Sequence, residues 1–264
     1  MYILDQDLQL KPEAPWHFKG TISENWLINN VANGGYIMAL MASAMLQASD
    51  KKCASIMTAS YMYPCLSGNM ELSLEEISRS SQLTRLQASL YQENQEKVRA
   101  WGSFSSPTQN TTQEQQERYE TGPPQVASLE ECTTVPAIPK HSLMDNLEIR
   151  LDPSSAGWIN GELAERSIQK GWISFRDGRP YDNPAVFLVA DSFPPAVFVS
   201  HGLVTWVPTI ELTVNIRHIP QTRWLKFCLQ SRFFTGGMIE EDGEVWDEEG
   251  TLVCISRQIA RVRI

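Results

Sequence analysis

The sequence predicts an α+β fold in which one unit, a buried helix followed by long antiparallel strands, occurs twice. Three observations predict it. A helix beginning near Tyr36 is apolar on every side. Strand-like runs follow it, and a similar succession follows Pro184. Landmarks in the two zones keep nearly one spacing: Pro64 and Pro220 lie 156 residues apart, Tyr91 and Trp246 155. Two matches in register, with a polar stretch between the zones, point to a duplicated unit.

In the first zone Asn33 stands before Gly34-Gly35 as the N-cap of a helix over residues 36–48. Ile37, Met38, Ala39, Leu40, Met41, Met45 and Leu46 cover all its sides, so surrounding structure must bury it. A strand over 57–63 ends at Pro64, and strands over 71–77 and 83–91 follow. Tyr91-Gln92-Glu93-Asn94-Gln95 reads as a hairpin turn before a strand through Phe104. Residues 105–125 offer almost nothing to bury and read as a linker or long exposed loop. The expected division is therefore 1–104, a linker over 105–147, and 148–264.

In the second zone Pro184 occupies a first-turn position tolerated by helices, ahead of a helix over 185–190. That helix must bend or stop near Pro194-Pro195. Strands are expected over 209–219 and 225–234. Trp246-Asp247-Glu248-Glu249-Gly250 is a second hairpin turn before a strand through Arg263. A helix apolar all round is buried most economically when its own sheet curls about it. That is the hotdog arrangement, and two copies in one chain make a double hotdog.

Composition narrows the function. The chain has 264 residues and a formal net charge of -9, which argues against nucleic acid and anionic membrane surfaces as partners. The most apolar run, 34–46, is too short for a bilayer, and residues 1–11 lack the apolar core of a signal peptide, so no membrane insertion is expected. Five scattered cysteines suit reduced thiols and a cytoplasmic location. His17, His141, His201 and His218 show no metal-ligand spacing. Walker, dinucleotide and G-x-S-x-G patterns are absent as well, so neither metal nor cofactor is expected.

Four stretches in order carry a likeness: Asn33-Gly34-Gly35-Tyr36; Ala190-Asp191-Ser192-Phe193 with Pro194-Pro195; Pro208-Thr209-Ile210-Glu211-Leu212-Thr213; and Trp246-Asp247-Glu248-Glu249-Gly250 through Ser256-Arg257-Gln258. With them the chain resembles the acyl-CoA thioesterase II family and its double-hotdog relatives over most of its length. The resemblance implies hydrolysis of an acyl-CoA thioester by water, without an acyl-enzyme. It implies a catalytic group of Asp191, Thr209 and Gln258.

Those residue types suit the chemistry. An Asp in the apolar stretch 186–199 gains basicity from burial. Read without the resemblance, Asp191 is better taken as a helix-ending residue that caps or faces solvent. Gln258 shares a strand face with Cys254, Ser256 and Ala260, and its amide both donates and accepts. Strict alternation puts Thr209 on one face with Glu211, Thr213 and Asn215, which makes Thr213 the reserve hydroxyl. Gly34 and Gly35 present backbone N–H groups to a thioester oxygen, or serve only to start the helix. Met38, Met41, Met45 and Trp206 are candidate liners of an acyl tunnel, and Arg217, Arg223 and Arg257 candidate phosphate contacts. Two other readings stay open: a dehydratase pairing His17 or His201 with Asp191, and a non-catalytic acyl-binding protein. Edge-to-edge pairing of hotdog sheets leads to an expected homo-oligomer.

Overall fold

The computed structural model describes residues 1–106, 119–136, 140–203 and 207–262. The first half contributes α1 (Ile3–Asp7), β1 (Lys11–Ala14), β2 (His17–Ile22), a small ribbon of β3 (Leu27–Ile28) and β4 (Val31–Ala32), α2 (Gly34–Ala48), β5 (Cys53–Tyr61), β6 (Gly68–Arg79), β7 (Leu83–Gln92) and β8 (Gln95–Ser105). The second contributes β9 (Thr133–Thr134), α3 (Leu143–Asn146), β10 (Leu147–Leu151), β11 (Ser167–Phe175), α4 (Asn183–Ala190), α5 (Val197–His201), β12 (Thr209–Ile216), β13 (Leu225–Ser231), β14 (Phe234–Thr235), β15 (Met238–Asp247) and β16 (Leu252–Arg261).

One sheet runs through both halves in the order β1-β2-β6-β7-β8-β5-β12-β16-β15-β13-β11-β10-β9. Read from the two ends towards the middle, the halves follow the same path, and they meet where β5 pairs antiparallel with β12. There Thr58 faces Thr213, and their hydroxyls are 2.9 Å apart. These two residues are 155 positions apart, the spacing of the repeat itself, so repeat-equivalent residues face each other at the joint. The fold is a double hotdog.

The all-apolar helix behaves as its composition requires. Residues 35–42 of α2, with Ala44 and Met45, are buried. α2 packs on α4, and the strands β5, β7 and β8 enclose it. Asn33 caps it by accepting the Tyr36 N–H, and Asp182 caps α4 through the Ala185 N–H with Pro184 in the first turn.

Two expectations are corrected. Neither half opens with its helix: β1 and β2 precede α2, and β10 and β11 precede α4. β10 reads Leu-Glu-Ile-Arg-Leu with every second residue buried, a two-residue period confined to five residues. The span 105–147 is also not simply a free loop. Residues 107–118 lie outside the described residues. Beyond them Tyr119 meets Trp246 edge-on at 5.1 Å, Trp172 donates to the Ala127 carbonyl, and the Ala127 N–H donates to Asp152. Val135 and Leu143 are buried in the core. The segment is held by a few anchors, which a polar composition does not reveal.

Candidate active site

α4 stops after Ala190 because Pro194 has no N–H for the Ala190 carbonyl and its ring would clash with it. Asp191 is left as its C-cap, with its own N–H still bonded to the Leu188 carbonyl. A carboxylate is poorly placed at a helix C-terminus, where the dipole is negative. Here a second helix compensates. The N-terminus of α2 points at the same carboxyl: the Gly35 N–H donates to Asp191 Oδ2 at 2.8 Å, and Asn33 Nδ2 donates to it at 3.2 Å and to the Asp191 carbonyl at 2.7 Å.

Glycine is required for that approach. A Cβ on Gly35 would lie 2.7 Å from the carbonyl oxygens of Phe187 and Leu188, and one on Gly34 would lie 2.8 Å from Asp191 Oδ2. Asp191 keeps partial solvent access as a residue, while protein surrounds its carboxyl. Burial pushes that carboxyl up to about 7, against the pull of the Gly35, Asn33 and Gly34 donors. Tyr61 donates to the Gly34 carbonyl at 2.8 Å, and burial together with the nearby Asp191 charge holds its phenol above the ordinary range, hence neutral.

The sheet supplies the second cluster. In β16, Cys254, Ser256, Gln258 and Ala260 face α4 as expected, opposite Ile216, Val214, Leu212 and Thr209 of β12. The Thr209–Ala260 pairing depends on a register shift between Thr209 and Glu211. This bulge turns Thr209 onto the inner face with Gln258, whereas Thr213 stays on the outer face opposite Thr58 and Arg257. The expectation that Thr209 and Thr213 share a face is therefore wrong, and Thr213 lies away from Asp191's side of the sheet. Thr209 Oγ1 donates to Gln258 Oε1 at 2.9 Å, and Gln258 Nε2 donates to Glu241 Oε1 at 3.0 Å. Glu241 Oε2 accepts the Ala196 N–H. Burial, with a smaller contribution from the charge of Asp191, pushes Glu241 up to about 7, and that contribution puts the two clusters within electrostatic reach.

Three contributors escaped the sequence reading: Glu241, Tyr61 and the bonds from Asn33 to Asp191. Glu241 carried a signal. It is the one charged residue in the alternating set Ile239, Glu241, Gly243, Val245, all buried. The other expectations fare unevenly. The Gly35 amide is engaged by the protein's own carboxylate and is not a free oxyanion donor. Met38, Met41 and Met45 are fully buried in the core around α2. Trp206 lies outside the described residues. Arg257 is paired with Asp242 on the outer face, and Arg217 and Arg223 are exposed. His17 is exposed on β2, and His201 sits at the exposed end of α5, bonded to Ser200. Surface hollows of about 420 and 350 Å³ lie along β1 and β2, and neither is lined by Asp191, Thr209 or Gln258.

Comparison with known proteins decides the family. Residues 22–105 match the acyl-CoA thioesterase N-terminal domain, and residues 129–262 match the acyl-CoA thioesterase C-terminal domain. The chain belongs to the acyl-CoA thioesterase family. It is an enzyme of the thioesterase class, and each half-match corresponds to one hotdog unit of the fold. Solved structures agree on the architecture. A candidate thioesterase II from Thermobifida fusca YX superposes with a TM-score of 0.91 at 24% identity, covering 100% of this chain and 98% of that one. A hotdog-fold protein of unknown function from Alicyclobacillus acidocaldarius gives 0.89 at 17% identity, covering 100% and 99%. The acyl-CoA thioesterase II TesB2 from Mycobacterium marinum gives 0.78 at 14% identity, covering 98% of each chain. A search of curated proteins returns no match. Among the described residues no helix is long and apolar enough to cross a membrane.

Proposed function

We propose that this thioesterase hydrolyses an acyl-CoA to the free acid and CoA by direct attack of water, with Asp191 as general base and Gln258 and Thr209 orienting that water. The observation that carries the proposal is the Asp191 carboxyl itself, held between two helix ends, enclosed by protein and pushed up to about 7. A base with that affinity for protons is matched to neutral pH. Asp191 takes a proton from water as the oxygen attacks the thioester carbon. The tetrahedral intermediate collapses with loss of the CoA thiolate, and the proton on Asp191 passes to the sulfur. Gln258 spends one N–H on Glu241, which leaves the second for the water or the developing oxyanion. Gly34 and Gly35 serve this site by gripping the base.

The acyl tail is placed along the exposed apolar side chains at the Thr209 end of the sheet, Ile210, Phe234 and Met238. The enzyme works in the cytoplasm in lipid metabolism, without cofactor or metal. It works as a homo-oligomer: Ile56, Trp101 and Ile255 leave apolar area on the outer face beside the joint that a second copy would cover.

The test is thiol release from a panel of acyl-CoAs. Wild type should release CoA, and Asp191→Asn should lose about 10²- to 10⁴-fold in kcat with an intact fold. Turnover of the variant at the wild-type rate would overturn the assignment.

A further inference from the structure

We infer that Glu241 is a positioning residue for the hydrolysis, setting which way the Gln258 amide faces and, through it, the Thr209 hydroxyl. This rests on the proposed hydrolase reading and deepens it. A glutamine amide has two ends of similar shape and opposite hydrogen-bonding sense. Turned through half a revolution it would still fill its space, with donor and acceptor exchanged. The sense is fixed only by a neighbour that can do one thing.

Glu241 is that neighbour. It stands directly opposite Gln258 in the β15–β16 register, on the same inner face. Once ionised, as it is above about pH 7, the Glu241 carboxylate accepts and never donates, so it then demands the Nε2 end of Gln258. The Oε1 end then faces Thr209, whose hydroxyl must donate. The three groups are locked into one polarity, Thr209 to Gln258 to Glu241. Glu241 is fixed in turn, because its other oxygen accepts the Ala196 N–H at the start of α5. Ala196 follows Asp191 by five residues, across the Pro194-Pro195 turn. One carboxylate therefore ties the segment carrying the base to the strand carrying the amide.

A purely structural task would not call for a charge here. Both donors to Glu241 are neutral, an amide and a backbone N–H, and burying a carboxylate on neutral donors is costly. A neutral side chain would satisfy Ala196 equally well. What a neutral amide or hydroxyl lacks is the one-way demand on Gln258.

The test is steady-state kinetics and thermal melting of Glu241→Gln and Glu241→Asp beside wild type, on the acyl-CoA that wild type turns over fastest. Glu241→Gln is nearly isosteric, but it brings one acceptor oxygen to two N–H donors, so Gln258 is free to turn. Its kcat should fall about 10- to 100-fold with KM within about 3-fold, in line with a misaligned reacting group. Its melting temperature should stay near wild type. Glu241→Asp keeps the carboxylate and should recover part of the lost kcat. Wild-type kcat in Glu241→Gln overturns the inference. So does a loss shared equally by both variants together with a lowered melting temperature, the mark of a merely structural role. Should Glu241→Gln fail to fold, Glu241→Ser takes its place: a kcat below that of Glu241→Asp at constant KM supports the inference, and a kcat equal to that of Glu241→Asp overturns it. Wild type that releases no thiol from any acyl-CoA sinks the hydrolase reading and this inference with it. That result is distinct from an active wild type with an indifferent variant.

Discussion

At the scale of single residues, the proton on Asp191, the proposed base, links activity to stability. Its carboxyl is raised from 3.8 to about 7 in the folded chain, mainly by burial. A base must be unprotonated to act, so kcat/KM should climb with pH and reach half its plateau near 7; a flat profile down to pH 5 would contradict the assignment. The stability effect has the opposite sign. Between about pH 4 and 7 the folded chain holds this proton and the unfolded chain does not, so the stability contributed by Asp191 falls as pH rises through that window and levels off above it. Asp191→Asn removes the titration. Its melting temperature relative to wild type should therefore rise from pH 5 to pH 8, which a melting series checks. Asp191 was legible as a candidate because it interrupts an apolar run. Its partners were not, because the spacing between Asn33 and Asp191 in the chain says nothing about two helix ends meeting in space. Glu241 stands in the acidic run Glu240-Glu241-Asp242-Gly243-Glu244, where composition gives no reason to single it out. Only the alternation of its neighbours marks it as inward-facing.

At the scale of elements, a bulge decides which threonine belongs to the site. Alternation along residues 209–215 puts Thr209 and Thr213 together, and the register shift after Thr209 separates them onto opposite faces. Period-two reasoning has no means of seeing one extra residue in a strand. The consequence is measurable. Thr209→Ala should slow thiol release about tenfold, the worth of one hydrogen bond of about 1.4 kcal/mol in the transition state, while Thr213→Ala should leave kcat within about twofold. Equal losses in both, or a loss confined to Thr213→Ala, would place the site on the wrong face. The two helices were read more fully. α2 is apolar on every side, and that alone dictates enclosure by a sheet. The strands before each helix were missed, because short runs such as 147–151 carry few turns of the pattern and lie beside a stretch dominated by polar composition.

At the scale of the whole molecule, the two halves are one cooperative body. β5 and β12 continue a single sheet across the joint, α2 packs against α4, and one core cluster contains buried residues from both. The two helix ends meet across the halves, and the proposed base, Asp191, comes from one half while the glycines that grip it come from the other. Calorimetry should accordingly show one unfolding transition with equal calorimetric and van't Hoff enthalpies; two separable transitions would mean the halves are independent. The duplication was visible in the sequence as a repeated spacing, and the same spacing now relates Thr58 to Thr213 across the joint. What the spacing left open was whether the second sheet would face the first within the chain or in a neighbouring copy. The central claim is that the gathered residues direct water straight onto the thioester. Single-turnover hydrolysis in H₂¹⁸O, with enzyme in excess over acyl-CoA, tests it most directly. The account predicts one ¹⁸O in the free acid from the first turnover. An unlabelled acid, with ¹⁸O found instead in the carboxyl of Asp191, would show an acyl-enzyme and contradict it.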